Sequence, residues 1–360
     1  MKKKIALIFG GRSSEHEVSI RSAFNILKAL DLSLFEPLLI AISKQGTWYQ
    51  LTEAEVEKIK FIDDNQFDLN QTVALISLKN ETLLVNLQNH KQQKVDCVFP
   101  IIHGTNGEDG SLQGLLKMIN VPFVGCGVMS SSIAMDKEAM KIVMTAAGIK
   151  NAKYIVLKSH ENHSFQQISQ QLGLPFFIKP ANAGSSVGVH KIKSENDFTN
   201  KLKDSFQYDH KVLAEEFLEG REIECSVMGL NTSPKASTPG ELIVKHEFYS
   251  YEAKYLDDNG AEIIIPAKID INKIEEIKNL AINTYKALFC DGLTRVDFFM
   301  KKNGELYVNE INTLPGFTKI SMYPMMWQAS GLSYTDLITE LINYAFSKYD
   351  YDNKIKVTYL

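Results

Sequence analysis

No apolar run in this 360-residue chain approaches the roughly 20 residues needed to span a bilayer, which argues against a membrane-embedded protein. The opening MKKK begins like a secretion signal, but only residues 5–9 are apolar before Gly10 and Gly11, too few for a signal core. The expectation is a cytoplasmic protein. Basic charge is also in short supply. Lys and Arg number 39 against 43 Asp and Glu, a formal net charge of -4, without the cationic surplus of a nucleic-acid binder. Only four cysteines occur, Cys97, Cys126, Cys225 and Cys290. They are far apart and form no CxxC pair, so neither a zinc site nor a disulfide framework is indicated, and buried reduced thiols are expected. Internal repeats and low-complexity segments are absent.

What remains is the composition of a globular enzyme, with 44% hydrophobic and 23% charged residues. At this length two or three domains sharing a cleft are expected rather than one core. Residues 4–9 (KIALIF) read as a buried strand, VSIRSAFNILKAL as a helix with apolar residues at helical spacing, and EPLLIAIS (36–43) as a second strand. That unit predicts a right-handed parallel crossover. VDCVFPIIHG (95–104) adds a strand ending in a Gly-rich loop before another helix. The first 125 residues thus predict half of a doubly wound α/β sheet, whose ligands sit beyond the carboxyl ends of the strands.

The texture changes afterwards. MDKEAMKIVMTAAGI (135–149) reads as one helix. LPFFIKPANAGSSVGVHKI (174–192) reads as strand, Gly/Ser turn and strand, and KVLAEEFLEGREIECSVMGL (211–230) as two more strands. Small antiparallel sheets with helices, an α+β texture, are the simplest account. LTRVDFFMKK and GELYVNEIN form a hairpin with Asn303-Gly304 at its tip, and LSYTDLITELINYAF is a terminal helix closing the last domain. The domain boundaries expected are 1–125, 126–212 and 213–360.

The late hairpin carries the most specific chemistry. Glu310 and Asn312 stand at i and i+2 of one strand and share a face, and the hairpin brings Asp297 beside them. Three oxygen donors converge there, the ligand type that Mg²⁺ takes together with nucleotide phosphates. IKPANAGSSVG supplies a complementary half. Lys179 ends a strand, and Gly184, Ser185, Ser186 and Gly188 form a turn able to fold over phosphates. The lysine precedes the glycines, so this is no Walker motif. Glu215 and Glu216 flank a strand exit suited to an adenine amino group and ribose hydroxyls, with Glu222 seven residues beyond Glu215. A dehydrogenase reading of the first strand–turn–helix fails, because GxGxxG is missing and IAIS stands where an acid should close the second strand.

The ordered motifs GGRSSEHEVS, HGTNGEDGSLQG, GVMSSSIAMDK, KPANAGSSVG, YEAKY and NEINTLPGFT resemble the ATP-grasp superfamily and, within it, the D-alanine–D-alanine ligase family, over nearly the whole chain. The resemblance implies an ATP-grasp fold behind a doubly wound N-terminal domain. It implies a two-step ligation in which a D-alanine carboxylate takes the γ-phosphate of ATP and the acylphosphate is attacked by a second D-alanine, for peptidoglycan precursor synthesis. Lys137, Lys179 and Lys254 would reach the phosphates, with Ser186, Glu215, Glu216, Glu222 and Asn309 on the nucleotide. Two Mg²⁺ or Mn²⁺ ions would sit on Asp297, Glu310 and Asn312. Glu15 would hold the first substrate ammonium, and Ser185 and Tyr255 would join it in a link closing two loops. His103 would steady the first substrate, Arg295 and the Gly316 N–H the oxyanion, and Ser321 the second carboxylate. Ala183 stands where some members carry a glutamate. YEAKY favours an amine as second nucleophile over D-lactate. A homodimer is the expected assembly. Another ATP-grasp carboxylate–amine or D-alanine–D-lactate ligase is the competing reading.

Overall fold

The computed structural model describes residues 2–79, 81–244 and 261–356. β1 (Lys3–Gly10), α1 (His16–Ala29) and β2 (Phe35–Ile42) form the expected crossover, and β1 pairs in parallel with β2 from Lys3 opposite Phe35. β3 (Trp48–Leu51) adds an antiparallel edge, followed by α2 (Glu53–Lys58) with a Thr52/Glu55 capping box. A small antiparallel sheet then intervenes, β4 (Val73–Leu78), β5 (Glu81–Asn86) and β6 (Gln92–Val95), which the sequence reading had not separated out. β7 (Cys97–Pro100) returns beside β1, and α3 (Ser111–Met118) follows the Gly-rich loop. The sheet order is β3-β2-β1-β7. Residues alternate between its two cores, with Ile5, Leu7 and Phe9 in one cluster and Ala6 and Ile8 in the other. Both faces are covered, which is why these strands read as continuous apolar runs.

The helix expected over 135–149 is α5 (Lys137–Ala146), and a further helix, α4 (Val128–Met135), precedes it. Asp136 separates them because its carboxylate caps α5, accepting from the Glu138 and Ala139 N–H groups at 3.0 and 3.1 Å. Next come β8 (Tyr154–Lys158), α6 (Phe165–Leu172), β9 (Phe176–Pro180), β10 (His190–Ile192), α7 (Glu195–Ser205) and β11 (Lys211–Glu216). The four strands form one antiparallel sheet, β10-β9-β11-β8, packed on α6 and α7 through Phe176, Ile178, Phe198 and Ala214. The boundary expected at residue 212 falls inside β11, whose pairing continues to Glu216.

The last sheet holds β12 (Arg221–Gly229), β13 (Lys235–Ala236), β14 (Gly240–Val244), β15 (Ala261–Ile264), β16 (Gly292–Met300) and β17 (Leu306–Asn312), in the order β15-β14-β12-β16-β17 with β13 on β12. α8 (Ile271–Ala287) covers its inner face through Ile277, Ala281 and Tyr285, and Met140 and Met144 of α5 join the same core. The apolar side chains of residues 126–149 therefore join the core of this sheet, while Asp136, Glu138 and Lys141 pair with Lys211 and Glu215 of the preceding one.

α9 (Met322–Ala329) and α10 (Tyr334–Asp352) end the fold. The terminal helix was expected to close the last domain. Leu337, Ile338, Leu341 and Ile342 of α10 do pack on Met228 and Leu293 of the last sheet, and they also pack with Ile5, Leu7 and Ile26, so the helix covers the first sheet too and locks the two ends of the chain together. The apolar stripe announces a helix, but which sheet it covers is a long-range choice. Among the described residues no helix is long and apolar enough to cross a membrane.

Candidate active site

Strand alternation places the charged residues. In β9, Phe176 and Ile178 face the helices, so Phe177 and Lys179 face outward. In β11, Val212 and Ala214 are inward and Glu215 is outward. In β12, Ile223 and Cys225 point to α8, leaving Glu222 and Glu224 on the other face beside Arg295 and Asp297 of β16. The two outward faces meet across a cleft of about 360 Å³, which the loop after β1, the Gly/Ser turn and the loop after β17 close. Every predicted site residue within the described segments lines this cleft. Lys254 and Tyr255 lie outside the described residues.

The acidic pair depends on an irregularity. β16 and β17 pair Met300 with Leu306 and Phe298 with Val308, and the register then shifts so that Asp297 opposes Glu310 and Arg295 opposes Asn312. Asn309 is the extra residue of a β-bulge. Strict alternation from the inward Leu306 and Val308 would turn Glu310 and Asn312 inward as well. The bulge reverses the parity and directs both into the cleft, with Asn309 at its rim.

Arg295 forks onto Asp297, with Nε 2.7 Å from Oδ1 and Nη2 2.6 Å from Oδ2, and its Nε also lies 2.8 Å from Glu224 Oε2. Burial alone would lower the guanidinium pKa, but Asp297 and Glu224 outweigh it and hold the pKa well above the usual value. Asn312 Nδ2 donates to Asp297 Oδ2 at 3.0 Å. A half-turn of that amide presents its oxygen instead. Two carboxylates and an amide oxygen on opposed strands are hard donors that fit a Mg²⁺-class ion completed by phosphate and water. Among the described residues no group of three or more His, Cys, Asp or Glu forms a metal cage.

Opposite stands a cluster of lysines. Lys179 Nζ donates to Glu215 Oε2 at 2.7 Å and reaches Asn309 Oδ1 at 3.4 Å. Lys141, only 1% exposed, lies 3.4 Å from Glu215 Oε1. Burial alone would raise the Glu215 pKa, but Lys141, Lys179 and Lys137 outweigh it and hold the carboxyl at about 2. Burial also lowers the Lys137 pKa, and its Nζ donates to the Ala183 carbonyl at 2.7 Å. The lid is thereby tied to the start of α5. Glu216 Oε1 accepts the Lys153 N–H at 2.8 Å, which holds the carboxylate in place at the edge of the cleft. Sequence reasoning missed Lys141 and Glu224. Both were within reach of it, since Lys141 is one helical turn beyond Lys137 and Glu224 shares a strand face with Glu222.

At the remaining wall, Glu15 sits at the start of α1 but makes no side-chain cap bond. It is buried and accepts a hydrogen bond from the Ser185 hydroxyl of the lid. A Cβ at Gly104 or Gly184 would come within 2.8 and 2.9 Å of Glu15 Oε2, so these glycines make room for the carboxylate. His103 Nδ1 lies 3.1 Å from the Leu314 carbonyl and 3.3 Å from Glu108 Oε1. Burial would lower its pKa, yet Glu108 raises it overall. Ser321 begins α9 without capping it. Its Oγ accepts from the Thr318 N–H at 2.9 Å, which holds the hydroxyl on the cleft side.

Two sheet-bearing lobes that face lysines and paired acids across one cleft define an ATP-grasp fold. The sequence comparisons resolve the class further. Residues 4–126 match the family description "D-ala D-ala ligase N-terminus" and residues 143–343 match "D-ala D-ala ligase C-terminus". The chain is 48% identical to the D-alanine--D-alanine ligase of Oceanobacillus iheyensis, over 99% of this chain and 98% of that protein. It is 45% identical to D-alanine--D-alanine ligase A of Escherichia coli, over 99% of each. Among solved structures, the D-alanine-D-alanine ligase from Coxiella burnetii superposes with a TM-score of 0.85 at 36% identity, covering 98% of both chains. VanG D-Ala:D-Ser ligase from Enterococcus faecalis does so with 0.84 at 34% identity, covering 96% of this chain and 100% of that one. The chain belongs to the D-alanine–D-alanine ligase family.

Proposed function

We propose that the protein joins two D-alanine molecules into D-alanyl-D-alanine at the expense of ATP, forming ADP and phosphate, for peptidoglycan precursor synthesis. The observation that carries this reading is the convergence, on one cleft, of the opposed Asp297–Glu310 pair, the Lys179 and Lys137 ammoniums and the Glu15–Ser185 closure. Glu15 binds the ammonium of the first D-alanine and His103 steadies that substrate. Its carboxylate is thereby directed at the γ-phosphate, and Lys137 and Lys179 reduce the repulsion between two anions. Ser186, Glu215, Glu216, Glu222 and Asn309 form the nucleotide side, joined by Lys254. Asp297, Glu310 and Asn312 hold two Mg²⁺ or Mn²⁺ ions, which when bound neutralise phosphate charge.

The amine of the second D-alanine, positioned by Ser321, attacks the acylphosphate. Arg295 and the Gly316 N–H face the oxyanion that develops. Ser185 with Tyr255 closes the lid and excludes water that would hydrolyse the acylphosphate. The enzyme works as a cytoplasmic homodimer, and its three domains are an N-terminal substrate domain and two ATP-grasp lobes. The test is phosphate release from ATP with D-alanine alone, with D-alanine plus D-lactate or D-serine, and with other D-amino acids. D-alanine-dependent dipeptide formation is expected. Turnover that requires a different amino acid would replace this reading with another carboxylate–amine ligase.

A further inference from the structure

α1 touches both substrate halves of the cleft. Glu15 stands at its start, and two turns further along Ser22 is fully buried against the loop that carries Gly316 and Ser321. The Ser22 Oγ accepts the Phe317 N–H at 3.2 Å and lies 3.1 Å from His103 Nε2. With the His103 Nδ1 hydrogen directed at the Leu314 carbonyl, Nε2 is free to accept the Ser22 proton. One turn beyond, Asn25 Nδ2 donates to the Phe317 carbonyl at 3.0 Å. That carbonyl also accepts from the Tyr334 hydroxyl at 2.8 Å. The Phe317 peptide is therefore held at both its N–H and its C=O, and its buried ring packs against Phe99 and Tyr323.

We infer that Ser22 and Asn25 are positioning residues that fix the second-substrate subsite relative to the first, with α1 as the rigid spacer between them. From Glu15 to Asn25 a helix rises about 15 Å, and its length does not change when the lid moves. Phe317 is bonded directly to Gly316 and lies four residues before Ser321, so freedom at its peptide becomes freedom of the oxyanion donor and of the hydroxyl that meets the second carboxylate. A gain in distance of a fraction of an ångström there weakens acceptor binding and leaves the first site untouched. The inference rests on the assignment of Gly316 and Ser321 to the second substrate.

The test is Asn25→Ala and, separately, Ser22→Ala, each compared with Ser321→Ala. Tyr334 still satisfies the Phe317 carbonyl in Asn25→Ala, so the variant retains its fold, which thermal melting checks. Initial rates resolve the two D-alanine constants, and calorimetric binding of one D-alanine with a non-hydrolysable ATP analogue reads the first site alone. In Asn25→Ala, loss of one positioning hydrogen bond raises the second-site KM about fivefold with first-site affinity unchanged, whereas Ser22→Ala also strips the partner of His103 Nε2 and raises both constants. If Ser321→Ala raises the second-site KM and Asn25→Ala leaves it unchanged or raises both constants equally, or Ser22→Ala leaves the second-site KM unchanged, the inference is overturned alone. If Ser321→Ala itself has no effect on that constant, the assignment of the loop fails with it.

Discussion

The Ser185 hydroxyl donates to the Glu15 carboxylate, so a residue of the lid between β9 and β10 is bonded to the turn after β1, 170 positions earlier in the chain. This contact shuts the cleft at the end proposed for the first substrate. Ser185 and Ser186 hold left-handed backbone conformations, φ 49° and 60°, which non-glycine residues rarely adopt. A turn so constrained presents its hydroxyl in one direction.

Ser185→Ala removes the donor and leaves the backbone. We expect kcat/KM for the first D-alanine to fall about tenfold. Phosphate release should also outrun dipeptide formation, because an imperfectly closed lid admits water to the acylphosphate. Simultaneous assays of phosphate and dipeptide check this, and equal yields of the two would contradict the role of the lid.

Gly184→Ala tests the same contact from the other side. The added methyl would lie 2.9 Å from Glu15 Oε2 and must displace it. The expected result is a rise in first-site KM of about tenfold with little change in KM for ATP. A uniform loss on both substrates would point to a general distortion of the lid.

Glu310→Gln keeps size and removes charge from the pair with Asp297. The protein should fold normally while turnover drops by at least about a hundredfold. Near-normal activity over a Mg²⁺ titration would refute the ion assignment.

Glu215→Gln strips the shared counter-charge from Lys141 and Lys179 in a site where the carboxylate is 3% exposed. Breaking a buried pair in this way costs about 3–5 kcal/mol, read from denaturant unfolding. The pH dependence has a definite sign. The folded pKa of Glu215, held at about 2 by burial-opposing lysines, is depressed below the ordinary carboxyl value. Its contribution is therefore complete above about pH 4.5 and lost as pH falls toward about 2. The stability gap between wild type and Glu215→Gln should narrow over that interval, and a gap independent of pH would dismiss the ion pair as its source.

Local pattern and residue chemistry carried much of this protein. Apolar runs and helical spacing marked β1, α1, β2 and β7, because those elements are short-range and buried on both faces. The doubly wound half-sheet followed from the order of these elements, and the ATP-grasp lobes from the family resemblance that the ordered motifs carry. That Lys179, Glu215, Asp297 and Glu310 face one cleft was legible, because charges interleaved with apolar strand residues need a cleft to face.

Other features were decided only by tertiary structure. The Asn309 bulge sets which face Glu310 occupies, and it depends on a pairing register that no single strand contains. Lys141 gains its role from Glu215 on a distant strand, and α10 bridges the first sheet and the last. Each is a choice among partners far apart in sequence. Periodicity specifies that a face must be buried or a charge matched, and only the folded chain specifies against what.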